Sequence, residues 1–413
     1  MGWDERNQLI RQNQTDSEAH TSIGKRPFCL WIGVLAQLKS PLEVIDIARM
    51  VPEMDFVMVG WSRDRSIANR LQAEKPANLY YLGTVPDDLK DELIKKCSVG
   101  LTTSKYEGFG MVPFEFLSAG KPVLAYPLEV FREVYGDLII YADSIDEFAQ
   151  RLRQLCSKRS SATVDADAVA RGQARYDLAK AASRIVRRLD AKSLLVFTQD
   201  VSTGTDEIAG FYLLEWRLWK LLKESGIDLH IFANGGKFST QFDLADRTTQ
   251  VGRIVEHLRC HMKALEQSPK CLDIAKRRII DLSIRILEPL CYVHRYIAKR
   301  KDVPSSAIIA SGYSQVLGAI ILKYLFGLKL VCLEHDARLY RYDWVRSSLL
   351  MKVYYLAYMY VLRHVDLIML VSDTMRKEFL NYYPHEDRFM VIWNEDTPQT
   401  TPNKTSFALT TPA

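Results

Sequence analysis

The sequence has no Cys-x-x-Cys pair and no histidine cluster at metal-ligand spacing, and its seven cysteines (Cys29, Cys97, Cys156, Cys260, Cys271, Cys291 and Cys332) are scattered. That pattern argues against a zinc site or a disulfide framework and reads as buried thiols in a reducing compartment. Long uncharged apolar runs are also missing. The two most apolar stretches, 316–333 and 349–371, are interrupted by Lys323, Lys329, Lys352, Arg363 and Asp366, which a bilayer-spanning helix of ~20 residues would tolerate poorly. Buried strands and helices are the better reading of both. The opening residues, Met1-Gly2-Trp3-Asp4-Glu5-Arg6, lack the apolar core of an export signal, which predicts a cytoplasmic protein. No large segment is poor enough in apolar residues to predict disorder on a large scale.

What is present is the composition of a packed α/β protein: 48% hydrophobic and 25% charged residues over 413 positions. That length exceeds what one core usually serves, so two domains are expected. Net charge is only +5, yet the segment 253–301 has twelve Lys/Arg against five Asp/Glu. With Ile279, Leu282, Ile286 and Leu290 at helical spacing, it reads as one or two basic amphipathic helices. Two alternatives stand for it, a solvated face and contact with an anionic membrane surface, which would make the protein peripheral at the membrane's inner face. It lacks the interleaved aromatics of a nucleic-acid reader, so no nucleic-acid partner is expected.

Along the chain, residues 1–26 are polar and aperiodic and read as a flexible lead-in. From Pro27 short apolar runs alternate with helical stretches, the signature of a doubly wound parallel sheet. Apolar runs at Phe28–Val34, Phe56–Gly60, Leu79–Leu82, Val99–Thr103, Pro122–Tyr126 and Leu138–Tyr141 supply its strands. After Asp190-Ala191-Lys192 the pattern restarts with strand Ser193–Thr198, a small-residue loop, helix Phe211–Ser225 and strand Asp228–Ala233. A strand, a small-residue loop and a helix are how a Rossmann-like domain begins. The reading is therefore α/β with two Rossmann-like, doubly wound parallel-sheet domains at 27–190 and 191–396, and a disordered Thr/Pro/Asn-rich tail at 397–413.

The stretch with the most chemistry is Ser104-Lys105-Tyr106-Glu107-Gly108-Phe109-Gly110-Met111-Val112-Pro113-Phe114-Glu115. It follows a strand and opens a helix. Gly108 and Gly110 let the backbone approach a ligand closely, Pro113 suits a first helical turn, and the unpaired amides can donate to an anion or a sugar oxygen. Glu115 lies further into the helix, where its two oxygens can accept from neighbouring hydroxyls such as those of a ribose. A glycosidase also uses two carboxylates, but the glycines and helix start would then be unexplained.

This stretch resembles the donor domain of the retaining glycosyltransferases of family 4, which have the GT-B fold and the pattern Glu-x7-Glu, here Glu107 and Glu115. The resemblance implies that Glu107 contacts donor-sugar hydroxyls, that the amides of Gly108, Phe109 and Gly110 hold sugar and phosphate, and that Glu115 holds the ribose. Leu82-Gly83-Thr84-Val85 resembles the loop beside the nucleotide base, which places Val85 in the donor site. Ser118-Ala119-Gly120-Lys121-Pro122-Val123 resembles the family's Ala-x-Gly-x-Pro-Val turn, and Glu133 stands where the family often has a further Glu, either a donor contact or a surface helix-start residue. Gly33-Val34-Leu35-Ala36-Gln37-Leu38-Lys39-Ser40 resembles Gly-Arg-Leu-x-x-x-Lys-Gly, so Gly33 and Lys39 belong to the diphosphate site, while Val34 replaces the family's Arg; Arg63 or Arg65 would have to substitute for it. In the second half, Leu330–Asp336 resembles the strand-then-His of the acceptor domain and assigns His335 to the reacting sugar and Asp336 to the acceptor. Thr198–Gly204 resembles its first loop, which brings in Gly204. Val365–Ser372 and Val391-Ile392-Trp393-Asn394 resemble Ala-Asp-x-Val-x-x-Val-Ser and Val-Ile-x-Asn-Gly.

In the family the acceptor half comes first; here the order is reversed. Circular permutation and a slice of a tandem protein are both open on the sequence. The function implied is retaining hexosyl transfer from a nucleotide-diphospho-sugar to a hydroxyl of a glycan, lipid-linked or small-molecule acceptor. Glu107, Lys39 and His335 form the catalytic set, with no metal or cofactor. The rivals are a nucleotide-sugar epimerase, which needs no acceptor, and a non-catalytic binder, motivated by Val34.

Overall fold

The computed structural model describes residues 26–62, 65–157, 167, 169–170, 176–198, 210–233, 254, 257–258, 260–261, 271–301, 305–334, 358, 360–381, 383 and 385–392. Gly204, His335, Asp336, Arg63, Trp393 and Asn394 lie outside them, as do the side chain of Arg65 and the lead-in and tail.

The first half alternates β1 (Phe28–Ile32), α1 (Glu43–Met50), β2 (Asp55–Val59), α2 (Arg65–Glu74), β3 (Leu79–Tyr81), α3 (Asp87–Lys96) and β4 (Val99–Thr102). It continues with α4 (Met111–Ser118), β5 (Val123–Ala125), α5 (Glu129–Tyr135), β6 (Ile140–Tyr141) and α6 (Ile145–Ser157). Its strands form one parallel sheet in the order β3-β2-β1-β4-β5-β6. Both faces are covered, so strands such as Asp-Phe-Val-Met-Val of β2 are buried at every position instead of alternating. Helix composition matches the ends it must stabilise. α3 opens with Asp87 and Asp88 and closes with Lys95 and Lys96, each sign set against the opposite end of the helix dipole. It buries Leu93 and Ile94 on the sheet.

Helix α7 (Leu178–Leu189) leads into the second half: β7 (Ser193–Thr198), α8 (Gly210–Glu224), β8 (Asp228–Ala233), α9 (Cys271–Lys299) and β9 (Ala307–Ser311). After these come α10 (Tyr313–Phe326), β10 (Lys329–Glu334), β11 (Leu367–Leu370), α11 (Asp373–Leu380) and β12 (Phe389–Val391). The strands form a second parallel sheet, β12-β11-β10-β9-β7-β8. Strand order therefore reverses beside β1 and β4 in one half and beside β7 and β9 in the other, the places where open α/β sheets leave a crevice at their carboxyl ends.

Asp177 caps α7 by accepting from the amides of Ala179 at 2.8 Å and Lys180 at 3.3 Å. The helix buries Ala181, Ala182, Ile185 and Leu189, residues one or two turns apart on one face. These belong to an apolar cluster that also contains Phe116 and Phe131 of the first half and Leu195, Leu218 and Ile368 of the second. Arg184 and Arg188 of α7 donate to the carbonyls of Ile392 and Asp387. The helix thus serves both halves.

Within the basic segment, α9 is one 29-residue helix with Pro289 inside it. Leu290, assigned from the sequence to an apolar stripe, is exposed, and so is Ile297. The face that does pack carries Ile284, Cys291, Tyr292 and Tyr296. No helix among the described residues is long and apolar enough to cross a membrane. Of the cysteines described, Cys29, Cys97, Cys291 and Cys332 are buried free thiols, while Cys260 is exposed.

Candidate functional site

The crevice beside β1 and β4 is built by two loops that the chain ties together. The loop after β1 ends in a short 3-10 turn, Gln37–Lys39, closed by Ser40 in the left-handed region at φ 43°. Thr103, just past β4, donates its hydroxyl to the carbonyl of Lys39 at 2.7 Å, and the Trp31 indole N–H donates to the same hydroxyl at 3.1 Å. The Lys105 amide donates to the carbonyl of Leu38 at 2.8 Å. Lys105 then pairs with Glu43 at 3.0 Å and lies 3.4 Å above the Tyr126 ring, whose hydroxyl donates to Glu43 at 2.6 Å.

On this frame the Lys39 ammonium donates to Glu107 Oε1, which also accepts from the Ser104 hydroxyl at 2.7 Å. Lys39 keeps 24% of its side chain exposed and Glu107 15%, so a ligand can reach both. The structure therefore brings together the cation and the first carboxylate singled out in the sequence.

Gly33 follows β1 and donates its amide to Val59 at 3.0 Å. Its carbonyl is pressed against Gly60, where a Cβ would lie only 1.8 Å from that oxygen; the backbones meet because neither position has a side chain. Gly110 is the residue before α4, at φ 85°, and a Cβ there would lie 2.4 Å from the Phe131 ring. Phe109 is buried, packed edge-on against Tyr176 at 5.1 Å between ring centroids. Its ring belongs to the core. Val85 is partly buried against the same core.

Glu115 stands on α4 and pairs with Lys90 of α3 at 3.4 Å. Burial pushes its carboxyl above the ordinary range and Lys90 only partly offsets this. For Lys90 burial is a downward pull, outweighed by Glu115 and Asp87, and its net shift is upward. The two partners agree on an ion pair with a real desolvation cost.

Glu133 faces a different direction. Its carboxylate accepts from the amides of Asp373 and Thr374, both at 2.7 Å, and from the Thr374 hydroxyl at 2.6 Å, all in the second half. Ser372, at the start of α11, donates its hydroxyl to the carbonyl of Gly108 at 2.8 Å. Sequence reasoning assigned no role to Ser104, Thr103, Lys90 or Ser372. The first two lie at the end of the strand that feeds the loop, which was a usable signal; for Lys90 and Ser372 the partner is fixed only by tertiary packing.

In the second half the crevice beside β7 and β9 holds Glu215 of α8, fully buried. It accepts from Thr198 at 2.6 Å and from the Ser311 hydroxyl. Burial pushes its carboxyl up to about 7, against the pull of those two hydroxyls. Tyr292 donates to the Thr198 carbonyl at 2.8 Å and receives Gln315 at 3.0 Å. Among the described residues no group of three or more His, Cys, Asp or Glu side chains could hold a metal ion. An open hollow of about 410 Å³ lined by Arg26, Arg49, Asp55 and Asn78 lies elsewhere, beside the start of β2. We place the site at the carboxyl ends of the strands because the paired glycines, the helix start and the reachable charges converge there.

Residues 12–171 match the family described as "Glycosyl transferases group 1". An uncharacterised glycosyltransferase of Methanocaldococcus jannaschii is 23% identical over 152 residues, 36% of this chain and 43% of that protein. Among solved structures, Anabaena HepE in complex with UDP and glucose shares 19% identity over 43% of this chain and 52% of its own, with a TM-score of 0.37. Sucrose-phosphate synthase from Thermosynechococcus elongatus shares 19% over 43% of this chain and 49% of its own, at 0.36. The chain thus spans about half or less of the length of each relative. It is the first half, through residues 12–171, that is similar to the group 1 glycosyl transferases.

Proposed function

We propose that the chain transfers a hexose, with retention, from a nucleotide-diphospho-sugar to an acceptor hydroxyl bound between the halves. The observation that carries this reading is the convergence of Lys39, Glu107 and the Gly108–Gly110 turn at the start of α4, beside the strand-order reversal of the first sheet. A departing nucleoside diphosphate gains negative charge in the transition state, and preorganised cations and helix-start amides stabilise such charge. Lys39 and the amides around Gly110 are suited to that; Glu107 would orient the sugar, and Glu115 the ribose. Lys39 is paired with Glu107, so a bound diphosphate would share the lysine with that carboxylate. Held in place beside the donor, an acceptor hydroxyl could pass its proton to the leaving diphosphate oxygen on the same face of the sugar.

The matched family and the Methanocaldococcus relative support glycosyl transfer; retention, the sugar and the roles of His335, Gly204 and Asp336 are our reading of the sequence. Calorimetric titration of the chain with nucleoside diphosphates and their sugars, alongside Glu115→Ala, is the test. Saturable binding that falls at least tenfold in the variant is the expected result, and binding unaffected by Glu115→Ala would remove the assignment. The anomeric configuration of any product, read by NMR, decides retention. A non-catalytic binder is the second reading, favoured by Val34 where the resembling family has Arg. It requires nucleotide binding without transfer or hydrolysis.

A further inference from the structure

Glu133 and Ser372 meet where the halves meet, and together they complete the start of α11. An α-helix leaves its first four N–H groups without internal partners. Here the amide of Met375 goes to the Ser372 hydroxyl at 3.2 Å, and those of Asp373 and Thr374 go to Glu133. A carboxylate from one half thus sits on the positive end of a helix in the other, where the helix dipole favours an anion. Ser372 is fully buried and has a second bond: its hydroxyl donates to Gly108, the residue after Glu107.

That second bond reaches the proposed donor loop. The Gly108 carbonyl and the Phe109 N–H lie on one planar trans peptide and point in opposite directions. Holding the carbonyl on Ser372 therefore fixes the direction of an amide assigned to the donor. We propose that Glu133 and Ser372 are positioning residues that form a clasp between the halves, through which closure onto α11 orients the Gly108–Phe109 peptide and so sets donor affinity. This gives Glu133 a role distinct from direct contact with the sugar. The ligand in this proposal rests on the nucleotide-sugar reading; the clasp does not.

The test uses the full chain as wild type, Glu133→Gln, Ser372→Ala and Thr374→Ala, with amide hydrogen exchange in the absence of ligand and calorimetry with UDP and GDP. Glu133→Gln keeps the shape but turns an amide N–H₂ toward helix N–H donors. Exchange at the amides of Asp373 and Thr374 is expected to rise about tenfold in this variant. In Ser372→Ala exchange at Met375, whose amide bonds to the Ser372 hydroxyl, rises, while the amides of α1 stay at wild-type rates in both. Affinity for whichever nucleotide the wild type binds falls about five- to tenfold in both variants, with a smaller fall in Thr374→Ala. Unchanged exchange at Asp373 and Thr374 in Glu133→Gln overturns the clasp. Wild-type nucleotide affinity in Glu133→Gln and Ser372→Ala overturns the coupling while leaving the donor reading intact. A wild type that binds neither nucleotide defeats the donor reading instead, and exchange at Asp373 and Thr374 in Glu133→Gln then decides the clasp by itself. Should Glu133→Gln fail to fold, Thr374→Ala carries the same exchange measurement.

Discussion

The two halves place an acidic side chain at the same kind of position, the crevice where strand order reverses, and treat it in opposite ways. Glu107 of the first half is met by the Lys39 cation and keeps contact with solvent. Glu215 of the second half is fully buried and met by two hydroxyls, and burial holds its carboxyl near neutrality. A carboxylate beside a reachable ammonium can exchange that partner for a ligand, whereas a buried one between hydroxyls ties strands and helix together. The same fold thus yields a solvent-reached ion pair at one crevice and a buried, hydroxyl-bonded carboxyl at the other.

The backbone of the two halves offers the largest contrast to test. Gly110 and Gly327 both have left-handed conformations, φ 85° and 70°, but a Cβ at Gly110 meets the Phe131 ring whereas one at Gly327 meets nothing within 4 Å. Left-handed strain alone costs about 1–2 kcal/mol, and forcing a methyl into packed core adds about 1–3 kcal/mol. Gly110→Ala is therefore expected to lower the unfolding free energy by roughly 3 kcal/mol and Gly327→Ala by roughly 1 kcal/mol. Equal losses in urea titrations of the two variants would show that the loop before α4 relaxes around Phe131.

Removing the cation comes next in size. Lys39→Met is expected to weaken nucleoside-diphosphate binding about 10- to 100-fold, the worth of a charge-assisted bond of ~1.5–3 kcal/mol. Glu107→Gln should move affinity the other way, because it frees the ammonium for phosphate, while slowing transfer from the complete nucleotide-sugar. Calorimetry with the diphosphate separates the two; if both variants lose affinity alike, Lys39 and Glu107 act as one structural pair.

In the second half the contrast is read through pH. The Glu215 carboxyl lies at about 7 in the folded chain against an ordinary 4.5, so between those values the native state binds more protons than the unfolded one. Stability then falls as pH rises through that window and levels off above it. Glu215→Gln cannot titrate, so its stability relative to wild type is expected to improve by roughly 3 kcal/mol between pH 4.5 and pH 7.5. Unfolding midpoints at several pH values provide the measurement. A constant difference would mean that Glu215 ionises normally, through solvent reaching it.

Much of this architecture was legible because parallel strands buried on both faces leave continuous apolar runs. Ser193–Thr198 and Asp228–Ala233 have in the structure the bounds that the pattern predicts. Lys39 and Glu107 were each singled out through the family resemblance, but that they meet across 68 residues is visible only in the structure. Partners fixed only by how the halves pack were not: nothing near Glu133 announces Asp373 and Thr374. The basic segment shows the same limit, since apolar residues at helical spacing do not say which of two adjacent stripes packs, and Leu290 proved to be on the exposed one.

Val34 gives the smallest expected effect and bears most directly on the contrast between the halves. It is partly buried in the loop between β1 and the Gln37–Lys39 turn, where the resembling family supplies a second cation. With its one lysine already shared with Glu107, the proposed diphosphate site would be poised rather than saturated. Val34→Arg adds a planar, permanently charged donor suited to phosphate oxygens, at the cost of ordering a long side chain and losing a valine contact. The net gain is expected to be about 1 kcal/mol, roughly a fivefold rise in diphosphate affinity, with a larger rise in transfer rate because charge on the leaving group grows toward the transition state. Affinity that rises without any rate would assign the chain to the non-catalytic reading. No change in either would mean that Val34 does not face the diphosphate, and the diphosphate site would have to be sought away from the β1 loop.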